Sequence, residues 1–287
     1  MIERLAVIGV GLIGGSLALA LKAVGAVGEV VGCGRTLANL ETARDLGIVD
    51  RYHRDPGTAV AGADMVFVAV PLGQIRSVFA AIRGHLAEGA VVTDGASVKG
   101  TVIDDARAVF GQVPPWLVPG HPIAGTEHSG AKAAFAELYR RRQVILTPLE
   151  STDPGAVRRV EAMWRRCGAK VDRMPPGHHD EVLAATSHLP HMLAFGLVDL
   201  LARMRENDEI FRYAAGGFRD FTRIASSNPE MWRDICLANR EALGAMLRRF
   251  AGELEGLASA LDAEAGDELY AIFSRAKAAR DRWISGE

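Results

Sequence analysis

Three glycines near the start of the chain, in Gly9-Val10-Gly11-Leu12-Ile13-Gly14, have the G-x-G-x-x-G spacing that brings a backbone against phosphate groups. They follow an apolar run, Leu5–Val10, and open an alanine- and leucine-rich stretch. In that context Gly9 permits a tight turn, Gly11 lets the backbone approach a pyrophosphate, and Gly14 lets helix and strand pack closely. The pyrophosphate then meets the unpaired amides of the helix start, at Leu12 and Ile13. The second apolar run ends in Gly32-Cys33-Gly34-Arg35-Thr36, without the acid that an NAD site usually carries there. Arg35 can pair with a 2′-phosphate and Thr36 can donate a hydrogen bond, so NADP is the expected cofactor, with NAD possible. Val70-Pro71 closes the next strand and is expected beside the cofactor.

Four more segments carry polar residues that a plain dinucleotide-binding domain does not need. They are Asp94-Gly95-Ala96-Ser97-Val98-Lys99, His121-Pro122-Ile123-Ala124-Gly125, Ser187-His188-Leu189-Pro190-His191, and Gly216-Gly217-Phe218-Arg219-Asp220-Phe221-Thr222-Arg223. The first two each follow a strand-like run, and the loops after parallel strands are where such sheets bind ligands. His188 and His191 have no acidic or cysteine partner at a zinc spacing, so no metal is expected.

The elements that must position these groups follow from periodicity. Short apolar runs at Leu5–Val10, Val30–Gly34, Met65–Val70, Ala90–Thr93, Trp116–Val118, Val144–Thr147 and Lys170–Arg173 predict strands. Amphipathic stretches such as Leu40–Leu46 and Ile75–His85 lie between them, which predicts a parallel sheet covered on both faces. From about His178 the pattern is helical only. Val182–Ala202 reads as a helix interrupted by a turn at His188–His191. Pro229 sits where a first-turn proline belongs, and apolar residues from Trp232 to Leu261 predict one helix of roughly 30 residues. Another helix is expected over Glu268–Trp283. The fold class is therefore α/β, a Rossmann-type domain over residues 1–175 followed by an all-helical domain over 176–287. The long helices with broad apolar faces suggest a homodimer.

Bulk composition narrows the function. The chain has 287 residues and a formal net charge of −2. Residues 1–175 carry 20 Lys+Arg against 17 Asp+Glu, and the remainder 13 against 18. Neither part is a basic nucleic-acid binder, and an anionic substrate would need locally placed cations. The three cysteines are far apart and odd in number, which points to a reducing, cytoplasmic setting. Residues 1–21 read as strand, turn and helix rather than as a signal peptide. No apolar run reaches the length of a membrane span.

The order GLIGGS, D-x-x-S-x-K, HPIAG, SHLPH, GGFRDxTR and W-x-x-I resembles the prephenate and arogenate dehydrogenase family over nearly the whole chain. The resemblance implies a Rossmann domain followed by a helical dimerisation domain, with neither a fused chorismate mutase domain nor an ACT domain. It implies tyrosine biosynthesis: hydride leaves C4 of the substrate for the nicotinamide, the C4 hydroxyl loses its proton, and the ring carboxylate departs as carbon dioxide. His121 matches the family's catalytic histidine, and a neutral imidazole suits a proton acceptor near pH 7. Ser97 matches the serine that hydrogen-bonds this histidine or the substrate hydroxyl, and Lys99 would hold this loop or the cofactor. Arg223 matches the arginine on a substrate carboxylate, where its planar fork suits bidentate binding. His191 and Ser187 match positions lining the substrate side-chain pocket, and Trp232 matches a tryptophan near it. Glu127 and Asp220 are read as a polar gate at the cleft, and Arg219 as a second candidate anchor. Three other readings share these features: a dehydrogenase of an aminodeoxy-prephenate, a β-hydroxyacid-type dehydrogenase, and a non-catalytic dinucleotide sensor. The second usually relies on a lysine in its helical domain, and residues 176–276 contain none; His121, Ser97 and Arg223 together argue against the third.

Overall fold

The second half of the central strand, Leu5–Ile8, is apolar and buried on two sides, and this decides the architecture. In β1 (Ile2–Ile8), Leu5 and Val7 enter one core and Ala6 and Ile8 the other. A strand alternates faces residue by residue, so such a run is stable only between two layers of helices. The computed structural model, which describes residues 1–126, 128–205 and 207–286, shows that arrangement.

Six parallel strands form the main sheet: β1, β2 (Val27–Cys33), β3 (Arg51–His53), β4 (Met65–Val68), β5 (Val91–Asp94) and β6 (Leu117–Val118). Their order is β3-β2-β1-β4-β5-β6, so strand order reverses between β1 and β4. That crevice is where a doubly wound sheet binds dinucleotides. The connecting helices are α1 (Leu12–Ala23), α2 (Leu37–Asp45), α3 (Pro56–Val60), α4 (Ile75–Ile82) and α5 (Lys99–Phe110). Phe67 of β4 meets Trp164 edge-on with ring centroids 5.5 Å apart, and both are fully buried. Burying a large apolar side chain of this kind contributes about 1.5–3 kcal/mol.

The strand-like runs at 144–147 and 170–173 do not extend this sheet, contrary to the expectation of one parallel sheet. β7 (Gly120–Pro122), β8 (Gln143–Leu146) and β9 (Lys170–Arg173) form a second sheet in the order β7-β8-β9. β7 and β8 are antiparallel; β8 and β9, joined through α6 (Pro154–Arg166), are parallel. Two short strands, β3 and β7, carry too few apolar residues to stand out by periodicity. β7 nevertheless matters most, because it holds His121 opposite Ile145.

The later helices are α7 (Pro176–Leu183), α8 (Leu189–Ala202), α9 (Asn207–Arg212), α10 (Gly216–Thr222), α11 (Pro229–Ala238), α12 (Arg240–Asp262) and α13 (Gly266–Ser285). Two expectations need correction. The chain does not turn at His188–His191: a π-helical segment, Ala184–His188, joins α7 to α8. Pro190 falls in the first turn of α8, directly after this π-helical segment. The single helix expected from Pro229 to Leu261 is broken at Asn239, whose backbone leaves the helical region at φ −106° and ψ 29°. Its side-chain amide donates to the Asp180 carbonyl at 2.8 Å and lies 3.0 Å from His188 Nδ1.

The chain forms two compact units, Met1–Arg240 and Glu241–Glu287. The second contains most of α12 and all of α13. No helix among the described residues is long and apolar enough to cross a membrane.

Candidate active site

The glycine turn is built for a ligand at one position and for the protein at two others. Gly9 has φ +102°, and a Cβ there would lie 2.3 Å from the Ala69 carbonyl oxygen. A Cβ on Gly14 would lie 2.2 Å from the Gly9 carbonyl oxygen. Both positions therefore exclude side chains for internal reasons. Gly11 is different, since nothing of the protein stands within 4 Å of a Cβ added there. Gly11 is also the N-cap of α1, with no side-chain cap and no acid in the first turn. The helix start, with the Leu12 and Ile13 amides, is thus open to an anion, and these residues fit a dinucleotide pyrophosphate. Val70 lies beside the turn, its amide nitrogen 3.1 Å from the Cβ position of Gly9, and Pro71 follows on the surface. Arg35 and Thr36 are exposed after β2, and the Thr36 side chain makes no cap bond to α2. Asn39, which sequence reasoning missed, donates to the Val10 carbonyl at 2.7 Å and accepts from the Ala131 amide at 2.9 Å. It braces the glycine turn.

β5 delivers Asp94 to the same end of the sheet, fully buried. Asp94 accepts hydrogen bonds from the Ala96 amide (2.9 Å), the Gly120 amide (3.2 Å) and the Lys99 ammonium. Lys99 also donates to the Gly120 carbonyl at 2.5 Å. The fully buried Lys99 ammonium thereby holds the loop, the first of the two roles expected for it. The half-buried Ser97 lies in the loop so fixed. The pair ties the start of β7 to the end of β5, and His121 is the next residue.

His121 is buried, and its Nδ1 lies 2.9 Å from Nε2 of His179. Nδ1 of His179 lies 2.7 Å from the Asp180 carboxylate. Asp180 also accepts from the Lys99 and Gly100 amides, each at 2.8 Å, and so caps α5. Burial pushes the His121 imidazole well below its ordinary range, and the Lys99 ammonium, followed by His179 and His188, acts in the same direction. A histidine held neutral through the neutral range keeps a lone pair that can accept a proton. Sequence reasoning missed His179 and Asp180. The available signal was a His-His-Asp run at the point where the strand pattern ends, but the two histidines look alike there. The structure separates them: His178 is exposed and near Glu181, while His179 is fully buried.

A second cluster comes from the helices. Trp232 of α11 stacks on His191 with centroids 3.6 Å apart and 21° between planes. His191 Nδ1 lies 2.9 Å from the Ser187 carbonyl, to which it donates. The Trp232 indole nitrogen is buried without a hydrogen-bond partner among the described residues. His188 is buried behind the stack, and burial holds its pKa down at about 4. Arg223 starts a 3-10 turn after α10 and is exposed. Burial lowers the His191 pKa, and the charge of Arg223 lowers it further, which places the guanidinium within electrostatic reach of the stack. Among the described residues no carboxylate pairs with Arg223. Arg219 and Asp220 are exposed on α10. Glu127, expected as Asp220's partner in a gate, lies outside the described residues. No group of three or more His, Cys, Asp or Glu among the described residues could hold a metal ion.

Comparison with known proteins bears on what this arrangement does. Residues 17–173 match the family described as "Prephenate dehydrogenase, nucleotide-binding domain", and residues 175–275 match "Prephenate dehydrogenase, dimerization domain". A cyclohexadienyl dehydrogenase from Zymomonas mobilis is 37% identical over 97% of this chain and 95% of its own. The solved structure of a prephenate dehydrogenase from A. aeolicus with hydroxyphenyl propionate and NAD+ superposes with a TM-score of 0.91 at 36% identity, over 98% of each chain. An arogenate dehydrogenase structure from Synechocystis gives a TM-score of 0.83 at 28% identity, over 98% of this chain and 100% of the other.

Proposed function

Because the chain belongs to the prephenate dehydrogenase family, we propose a residue-level account of how it carries out that chemistry. The chain is an NAD(P)-dependent oxidoreductase of the prephenate and arogenate class, in tyrosine biosynthesis. The family matches set aside the β-hydroxyacid reading. The observation that carries the account is the buried, neutral His121, which directly follows Gly120 of a loop locked by Asp94 and Lys99.

Gly9, Gly11, Gly14 and the amides of Leu12 and Ile13 hold the dinucleotide, with Val70 and Pro71 beside it. When bound, the nicotinamide supplies the hydride acceptor. His121 takes the C4 hydroxyl proton as the C4–H bond gives up its hydride. The ring carboxylate then leaves as carbon dioxide, its bonding pair completes the aromatic ring, and the C4 oxygen recovers the proton from His121. Ser97 hydrogen-bonds His121 or the hydroxyl and fixes their approach. Arg223 binds a substrate carboxylate. His191, Ser187 and Trp232 line the side-chain pocket, and Asp220 with Glu127 gates it.

The finer choice of cofactor is NADP. It is supported by the exposed Arg35 and the uncommitted Thr36 hydroxyl after a β2 that ends without an acid. An initial-rate matrix of prephenate and arogenate against NADP and NAD tests the activity and the cofactor together. The expected result is turnover of one or both substrates with a higher kcat/KM for NADP. A tenfold advantage for NAD would overturn the reading of Arg35, and turnover of an aminodeoxy-prephenate alone would overturn the substrate.

We place the domain boundary at 175/176 and the protein in the cytoplasm as a homodimer. The free cysteines Cys33, Cys167 and Cys236 suit a reducing compartment. In the second compact unit, Leu254, Leu261, Tyr270, Phe273, Trp283 and Ile284 are 49–75% exposed. Apolar side chains in such number on two helices are the kind of surface that a second copy covers. Sedimentation at micromolar concentration should give twice the chain mass; a catalytically active monomer would refute the dimer.

A further inference from the structure

We propose that His179 and Asp180 are positioning residues that set the tautomer of His121, so that its Nε2 is the atom that takes the substrate proton. The inference rests on the reading of His121 as the proton acceptor, and it follows from counting donors and acceptors along a chain of two buried histidines and a half-buried carboxylate.

The carboxylate of Asp180 fixes the first step. An ionised carboxylate only accepts, and all its neighbours must therefore donate. Burial acts to raise its pKa, but the His179 hydrogen bond and the Lys99 and Gly100 amides outweigh this and hold it below the usual carboxylate range. His179 Nδ1, at 2.7 Å, consequently carries a hydrogen. Burial lowers the pKa of His179 despite the pull of Asp180, so the ring is neutral and its Nε2 has a lone pair. His121 Nδ1, at 2.9 Å from that lone pair, must then donate. His121 is neutral too, which leaves its Nε2 unprotonated. The opposite order would set two acceptors against each other at the Asp180 contact, a buried arrangement that loses a hydrogen bond and adds repulsion.

The same chain responds when His121 takes a proton. The new imidazolium keeps its Nδ1–H on His179, and the Asp180 anion at the far end offsets its charge. The other charged or titratable groups near His121 are Lys99, paired with Asp94 on the β5–α5 side, and His188 on the π-helical segment. Lys99, His179 and His188 disfavour the imidazolium; the Asp180 carboxylate, reached through the His179 hydrogen bonds, acts in the opposite sense. Asp180 also caps α5, the helix that begins just after Ser97. One carboxylate thus sets both the proton acceptor and the loop that carries the serine. Asn239, by holding the Asp180 carbonyl and His188, ties the end of α11 to the same carboxylate's backbone.

The test is nitrogen NMR of the full chain labelled with ¹⁵N-histidine at neutral pH, with His121 assigned from the signals lost in His121→Asn. The expected spectrum shows a protonated Nδ1 and an unprotonated Nε2. His179→Phe should release the tautomer and lower kcat by about tenfold to a hundredfold, the scale on which a misdirected general base is felt. Its acid limb should shift, because the imidazolium loses both its Nδ1 hydrogen-bond acceptor and the field of His179. Substrate KM and cofactor Kd should stay within about threefold, since neither His179 nor Asp180 is assigned a ligand contact. His179→Gln, whose amide oxygen can accept from His121 Nδ1, should recover most of kcat. A protonated Nε2 on His121 in the unmodified protein overturns the proposal, even if His179→Phe does not fold. So does a His179→Phe enzyme with unchanged kcat and acid limb. A near-normal kcat in His121→Asn would instead remove His121 as the base while leaving the tautomer result standing.

Discussion

His121→Asn lowers kcat by about three or more powers of ten, an extension of the usual 10²–10⁴ contribution of a positioned acid–base group. Asparagine keeps the size and polarity of the buried position but cannot take a proton. The substrate hydroxyl then loses its proton acceptor, and hydride departure is no longer coupled to loss of that proton. Cofactor affinity should be unchanged, because the glycine turn and α1 are independent of β7. The pH profile gives a second check. Protonation of His121 blocks the base, so the acid limb of kcat follows the folded-state pKa of this imidazole. Burial and the nearby positive groups put that pKa well below 6.5. The wild-type enzyme should therefore keep a flat kcat through neutral pH and lose activity only on the acid side of 6.5. A His121→Asn enzyme with near-normal kcat and the same acid limb would show that another group is the base.

Arg223→Ala should lower kcat/KM by roughly two to four powers of ten, which corresponds to about 3–5 kcal/mol for removing one partner of a desolvated ion pair. The magnitude discriminates between two situations. Arg223 is exposed in the structure. A pair that stayed solvated would contribute only about 0–1 kcal/mol, less than tenfold. A loss above a hundredfold therefore requires that the substrate and the surrounding groups cover the guanidinium on binding. The side chain is suited to this, since among the described residues no carboxylate competes for it. Most of the effect should fall on KM if the carboxylate is held equally in the ground and transition states, with some loss of kcat because the ring must be aligned for hydride departure. Arg223→Lys should recover part of the loss, since an ammonium lacks the bidentate fork. Steady-state kinetics with cofactor binding measured separately decide the matter. A small change in substrate KM, or an equal loss of cofactor affinity, would move the anchor to Arg219.

What the sequence determined by itself was local or repetitive. The G-x-G-x-x-G at residues 9–14 is readable because its meaning depends only on the strand before it and the helix after it. Gly9 takes the positive φ, and Gly14 the close approach, that the pattern predicts. Strands β1, β2, β4 and β5 were legible because burial on both faces demands uninterrupted apolar runs. His121, Ser97 and Arg223 stood out because their segments carry polar residues that the fold does not require. Tertiary structure decided whatever depends on partners distant in sequence. Lys99 and Asp94 read as loop residues until Gly120, 21 positions after Lys99, closes the triangle. His178 and His179 are equivalent in the sequence, and only the arrival of His121, 58 residues away from His179, makes one a buried relay and the other a surface residue. The break at Asn239 was hidden for the same reason. Asparagine is tolerated in a helix, and the periodicity on either side is continuous. The helix stops there because the side-chain amide reaches Asp180 and His188, 59 and 51 residues back. Periodicity reports which face of an element is buried; it carries no record of which buried polar group another will meet, and that pairing is what assembled this site.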